Sequence, residues 1–173
     1  VSIFGNDGIK RTNKVFFYDY VFTHILGGSG FGSRLMTELR EKNGLTYGVS
    51  AYLASWEKAD LILGQFASSN NTVMEAIGIV KNEWATLADR GVTADELRDA
   101  KTFLTGAYPL RFDGNSRIAR ILTGMQIQGL PIDYIHTRNA KVNAVTMEDI
   151  KRVATRILKE KNLYFVIVGR PTP

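Results

Sequence analysis

Leu26-Gly-Gly-Ser-Gly-Phe-Gly-Ser-Arg-Leu-Met-Thr-Glu-Leu-Arg-Glu-Lys-Asn-Gly-Leu-Thr-Tyr47 is the stretch whose reading decides the fold. Glycines at 27, 28, 30 and 32 allow left-handed or tight backbone, so a helix ending near Leu26 can turn sharply into a second one. That second helix is predicted from Phe31 to Glu41. Leu35 and Leu39, four apart with Met36 beside them, give it a buried face and leave Arg34, Glu38 and Glu41 in water. Asn43-Gly44 supplies the stop. From Thr46 the period changes to two, and Tyr47, Val49, Ala51 and Leu53 fall on one face of a strand.

Arg40 lies in the last turn of that helix and Tyr47 at the start of the strand, so the reversal between them can bring a guanidinium and a phenol side by side. Five fixed donors and a hydroxyl that donates or accepts suit gripping a peptide carbonyl or a carboxylate. Spacing alone leaves a second reading open, in which Arg40 complements the helix dipole and Tyr47 is a half-buried strand residue.

The flanking pattern gives the class. Residues 1 to 4 read as a strand ended by a Gly5-Asn6-Asp7-Gly8 turn, and Lys14 to Leu26 as a helix buried on most sides. The strand from Thr46 to Trp56 and the apolar run Leu61 to Ala67 form a hairpin around Glu57-Lys-Ala-Asp60. Small residues Gly48, Ser50 and Ala54 suggest close packing on that strand's other parity. Helices follow over 71–89, capped at Asn70 or Asn71, and from the capping box Thr93-Ala-Asp-Glu96 to Tyr108. Further helices start near Asn115 and through Tyr134, and one is capped by Thr146-Met-Glu-Asp149. Leu163 to Val168 is an apolar strand, and Gly169 to Pro173 a tail. Runs of helices against a modest sheet define an α+β domain, a single mixed or antiparallel sheet with helices mainly on one face, covering residues 1–173 as one domain.

Composition excludes several functions. The chain has 173 residues, 45% hydrophobic and 23% charged, with no apolar run that could span a membrane. The net charge of +5 is dispersed apart from Lys151, Arg152, Arg156, Lys159 and Lys161, and it reads as a solvated helix face rather than a nucleic-acid site. Zero cysteines rule out disulfides and thiolate metal sites. The compartment is unknown, bacterial periplasm or cytoplasm. Val1 begins directly in a strand-like run, which reads as a piece of something longer.

Two histidines, His24 and His136, lack a partner at helical spacing, so the chain is expected to hold no metal, and His24 reads as a partly buried structural residue rather than a ligand. Neither His-Glu-x-x-His nor His-x-x-Glu-His occurs, nor Gly-x-Ser-x-Gly. The Gly27 to Ser33 spacing lacks a phosphate-gripping lysine and follows a helix. No catalytic residue is expected in this chain alone.

Phe4-Gly with Gly8-Ile9, His24-Ile-Leu-Gly-Gly, Phe31-Gly-Ser-Arg-Leu and Leu39-Arg-Glu-Lys-Asn-Gly-Leu-Thr-Tyr-Gly-Val together resemble the C-terminal-half signature of the pitrilysin family of zinc metallopeptidases. That group includes mitochondrial processing peptidase and bacterial zinc proteases. The likeness continues through Thr93-Ala-Asp-Glu-Leu and Val145-Thr-Met-Glu-Asp-Ile. It implies one half of a clamshell, the C-terminal-type half of a two-domain peptidase. In such proteins the other half carries zinc on an inverted His-x-x-Glu-His motif, and this half contributes an Arg and a Tyr seven residues apart, which Arg40 and Tyr47 match. The resemblance further implies that the pair positions an extended peptide or unfolded polypeptide opposite zinc held by a missing half or partner subunit. A catalytically dead scaffold or assembly subunit of the same fold is the alternative. The departure is plain: the zinc-bearing half is absent, so the chain alone is expected to be inactive.

Overall fold

The computed structural model describes residues 1–30, 32–159 and 163–172. Four strands, β1 (Ser2–Asp7), β2 (Val49–Ser55), β3 (Asp60–Phe66) and β4 (Tyr164–Ile167), pair antiparallel in the order β2-β3-β1-β4. The last apolar run is therefore an edge strand. Period-two alternation sorts the faces: Phe4, Val49, Ala51, Ile62 and Phe66 are buried under helices, while Ile3, Tyr52, Tyr164 and Val166 stand exposed on the other face. Phe4 lies over its cross-strand partner Gly64, where an added Cβ would sit 2.0 Å from the ring.

Helix α1 (Phe16–Gly27) crosses the covered face, with Phe16, Val21, Phe22 and Leu26 almost fully buried. A π-helix follows over Met36–Lys42, then α2 (Val73–Arg90), α3 (Ala94–Gly106), a 3-10 turn (Pro109–Phe112), α4 (Asn115–Ile127), α5 (Tyr134–Asn143) and α6 (Met147–Lys159). Both expected caps form. Glu96 N donates to Thr93 Oγ1 at 3.2 Å and Thr93 N to Glu96 Oε2 at 2.7 Å. Asp149 and Thr146 exchange the corresponding bonds at 3.2 and 2.8 Å. The α+β class with helices on one face is what the sequence predicts.

Several local expectations are corrected. The proposed turn at Gly5-Asn6-Asp7 is strand, because Asp7 pairs with Leu61 and Gly8 N continues to Asp60 O at 2.8 Å. Ladder bonding overrides turn propensity there, and Gly8 is needed because a Cβ would sit 2.6 Å from the Leu61 backbone. The start of the second helix at Phe31 lies outside the described residues, and its last turns are π- rather than α-helical. The close approach expected opposite Gly48 and Ser50 lies instead on the covered face, where a Cβ on Gly27 would meet Ala51 Cβ at 2.7 Å. Thr72, not Asn70 or Asn71, occupies the N-cap position of α2, without a side-chain capping bond, and Asn70 binds the C-terminal tail through Arg170 N at 3.1 Å.

Arg34 is not in water. Its Nε and Nη2 donate to the two oxygens of Glu96 at 2.6 and 2.9 Å, with Glu83 3.8 Å away. The same Glu96 closes the α3 capping box, so one carboxylate joins the segment leading into the π-helix to the α2–α3 corner. Burial pushes the Glu96 carboxyl up, but the Arg34 guanidinium and the Thr93 amide outweigh it and hold it below its ordinary value. Two members of the late basic cluster are ion-paired to buried carboxylates: part-buried Arg156 with Asp19 on α1, and Arg152, itself exposed, with Asp149. Lys161 lies outside the described residues.

Gly27→Ala is expected to cost about 1–3 kcal/mol by overpacking against Ala51, read as a lower urea midpoint at unchanged slope. Glu96→Gln is expected to cost about 2 kcal/mol at pH 7 through loss of the clamp charge and weakening of the cap. Because the folded-state value is depressed, this contribution is full above the ordinary carboxylate range and fades as pH falls through the folded value. Urea titrations of variant and parent should therefore converge in acid, and a difference independent of pH would contradict the assignment.

Candidate functional site

Leu39, fully buried, anchors the end of the π-helix against the core and turns its neighbour Arg40 towards the surface, half-buried. The chain then reverses. Leu45 N reaches back to Leu39 O at 2.8 Å and Gly44 N to Arg40 O at 3.0 Å, with Gly44 at φ 61°, a left-handed conformation that costs glycine least. Asn43 adds a side-chain bond to Glu38 O at 2.8 Å.

Thr46 fixes the exit from the reversal. Its hydroxyl donates towards Ala67 O at 2.6 Å and Gly48 O at 2.9 Å and accepts from Gly48 N at 3.2 Å. These bonds occupy groups that would otherwise join the ladder, so β2 begins at Val49 and Tyr47 precedes it. Tyr47 is 89% exposed and does not share the buried face of Val49 and Ala51, contrary to the alternation drawn from sequence. The Arg40 guanidinium carbon lies 4.9 Å from the centroid of the Tyr47 ring. The structure thus brings the two together at the surface, in cation–π contact.

The pair stands at one end of the outer edge of β2. Among the described residues no strand pairs with that edge, so its outward N–H and C=O groups lack a ladder partner. Donors beside such an edge can meet a peptide carbonyl or carboxylate.

The residues present do not fit a zinc ion. Among the described residues no group of three His, Asp or Glu side chains could hold a metal. His24 stacks on Phe103 at 5.0 Å, and burial lowers its pKa, which favours the neutral imidazole. His136 is exposed on α5. No helix among the described residues is long and apolar enough to cross a membrane.

Sequence reasoning missed the Arg34–Glu96 clamp and an arginine–tyrosine cluster built from Arg11, Tyr20, Arg111, Tyr134 and Arg138. Their members are up to 127 positions apart, so no local motif announces them.

Residues 13–104, just over half of the chain, match the family model described as the peptidase M16 inactive domain. The non-peptidase homolog YmxG of Helicobacter pylori is 30% identical over 149 residues, 86% of this chain and 34% of that protein. The uncharacterized zinc protease YmxG of Bacillus subtilis is 28% identical over 157 residues, 90% of this chain and 38% of its own length. A crystal structure of a peptidase M16 inactive domain from Pseudomonas fluorescens superposes with a TM-score of 0.84 at 27% identity, covering 99% of this chain and 42% of that one. The chain therefore spans between a third and a half of the length of these relatives. Sheet order, helical layer and sequence agree, and the chain belongs to the family of peptidase M16 inactive domains found in zinc-protease-like proteins.

Proposed function

We propose that this chain is the substrate-binding, non-metal-binding half of a zinc metalloendopeptidase, a single domain over residues 1–173 that works opposite a homologous zinc-bearing half or subunit. The observation that carries the reading is exposed Tyr47 with the half-buried Arg40 guanidinium 4.9 Å from its ring centroid, at the end of a sheet edge that no strand among the described residues pairs. An extended peptide added to β2 presents carbonyl oxygens at a spacing of about 3.3 Å per residue, and the main-chain bonds that hold it accept many sequences. Arg40 and the Tyr47 hydroxyl then supply hydrogen bonds to a backbone oxygen and hold it in place for attack. Donors already aimed at the oxygen that gathers charge stabilise the transition state more than the ground state. The metal belongs to the partner half in this reading, which the lack of a three-ligand group among the described residues of this chain supports. Closure of two halves would assemble the site and exclude water.

A second reading, a catalytically dead scaffold or assembly subunit, is favoured by one fact. The Helicobacter pylori relative, at 30% identity, is named a non-peptidase. Against it stands Tyr47 itself: a large aromatic left 89% exposed and covered on one face by an arginine contributes little to the fold, and a scaffold has no use for it.

In a complex with the zinc-bearing partner, Arg40→Ala and Tyr47→Phe should each lower peptide turnover by about ten- to a thousandfold, the range for lost oxyanion donors. Thermal stability should move by less than about 0.5 kcal/mol, as for surface positions. Unchanged turnover with a clear loss of stability would assign the pair to packing. The purified 173-residue chain should hydrolyse no peptide on its own, and chelator-sensitive cleavage by it would refute the division of labour.

A further inference from the structure

Farther along β2 from Tyr47, a cavity of 290 Å³ opens between α1, β2 and α3. Gly27, Ala51, Leu53 and Leu104 give it apolar walls; Arg11, Arg111, Tyr20 and Thr23 bring polar groups to it, and among the described residues no Asp or Glu lines it. Two of those groups are buried without a hydrogen-bond partner among the described residues, Thr23 Oγ1 on a residue 2% exposed and Arg11 Nε. Buried donors are rarely left so.

The surroundings orient these groups without neutralising them. Arg11 Nη2 donates to Tyr134 Oη at 2.9 Å, and its guanidinium lies over the Phe16 ring at 4.8 Å. Arg138, 3% exposed, donates to Tyr20 Oη at 3.0 Å and otherwise to Leu104 O and Asn139 Oδ1. By supplying a donor to the Tyr20 oxygen, Arg138 leaves the Tyr20 O–H to donate elsewhere. Among the described residues none of Arg11, Arg111 and Arg138 forms an ion pair. Three guanidiniums gathered around tyrosines with no carboxylate give the cavity a positive potential, consistent with all three acting to lower the pKa of Tyr108 against burial, which raises it.

We propose that this cavity is a carboxylate subsite that takes an acidic side chain, or the C-terminal carboxylate, of a peptide laid along β2. The proposal rests on the peptide-binding reading above. A carboxylate has about four lone-pair directions, and the Arg11 Nε, the Arg111 fork, the Tyr20 hydroxyl and the Thr23 hydroxyl can meet them. The apolar walls suit the aliphatic stem that carries such a group. Tyr52, at the cavity, follows Tyr47 by five residues, so the preferred acidic group sits about 17 Å from the backbone oxygen held at Arg40.

The test uses fluorescein-labelled ten-residue peptides titrated into the 173-residue chain by fluorescence anisotropy: one amidated with a single Glu, one amidated with Gln in its place, and the Gln peptide with a free C-terminal carboxylate. The Glu peptide or the free-carboxylate peptide should bind on the order of tenfold tighter than the amidated Gln peptide, and whichever gains identifies the source of the carboxylate. Arg111→Gln, an exposed change, should abolish the gain, and Thr23→Val should reduce it several-fold, with circular dichroism unchanged in both. Equal affinity of all three peptides, or a gain that survives Arg111→Gln and Thr23→Val, overturns the subsite. Displacement by inorganic phosphate at lower concentration than by glutarate overturns it in favour of a phosphate site. Arg40→Ala should weaken all three peptides alike. If that loss appears without any carboxylate preference, only the subsite fails, and a carboxylate preference without that loss means that only the Arg40–Tyr47 grip fails.

Discussion

The reversal between the π-helix and β2 is the constraint on which the site depends. Leu39 is locked in the core, Gly44 takes a left-handed turn, and the Thr46 hydroxyl bonds to Ala67 and Gly48 before the strand can start. With both ends fixed, the side chains at 40 and 47 have nowhere to go but the surface, side by side. Removing any one fixed point would alter the direction in which the pair faces without altering either residue.

The reversal is itself held at a distance. Upstream, Arg34 ties the segment leading into the π-helix to Glu96, and Glu96 also closes the first turn of α3. Downstream, Gly27 lets α1 settle directly on Ala51 of β2. A site on an exposed turn gains precision from rigid support behind it, and here the support is one part-buried ion pair and one close backbone contact. The same contact forms part of the wall of the arginine–tyrosine cavity, which Gly27 and Ala51 both line.

Much of this was legible in the sequence because local chemistry specified it. The hairpin followed from period-two runs around a polar loop, both capping boxes from Thr93 with Glu96 and Thr146 with Asp149, and the Arg40–Tyr47 contact from a helix stop placed between them. What was not legible depended on distant partners. Gly5 to Asp7 read as a turn because the sequence does not reveal that β3 lies alongside. Arg34 read as wet because Glu96 is 62 positions away, and Thr46 read as an ordinary strand residue because its hydroxyl bonds are tertiary. The arginine–tyrosine cavity was invisible for the same reason, its members being scattered from Arg11 to Arg138.

The central claim is that the guanidinium and the phenol act on substrate as one unit. A double-mutant cycle of Arg40→Ala and Tyr47→Phe, read as kcat/KM for peptide cleavage in the complex with the zinc-bearing partner, measures this directly. Joint action predicts a coupling of about 1 kcal/mol or more, the double variant losing much less than the sum of the singles. Losses that add to within about 0.5 kcal/mol, the behaviour of independent sites, would show two unrelated side chains that happen to touch.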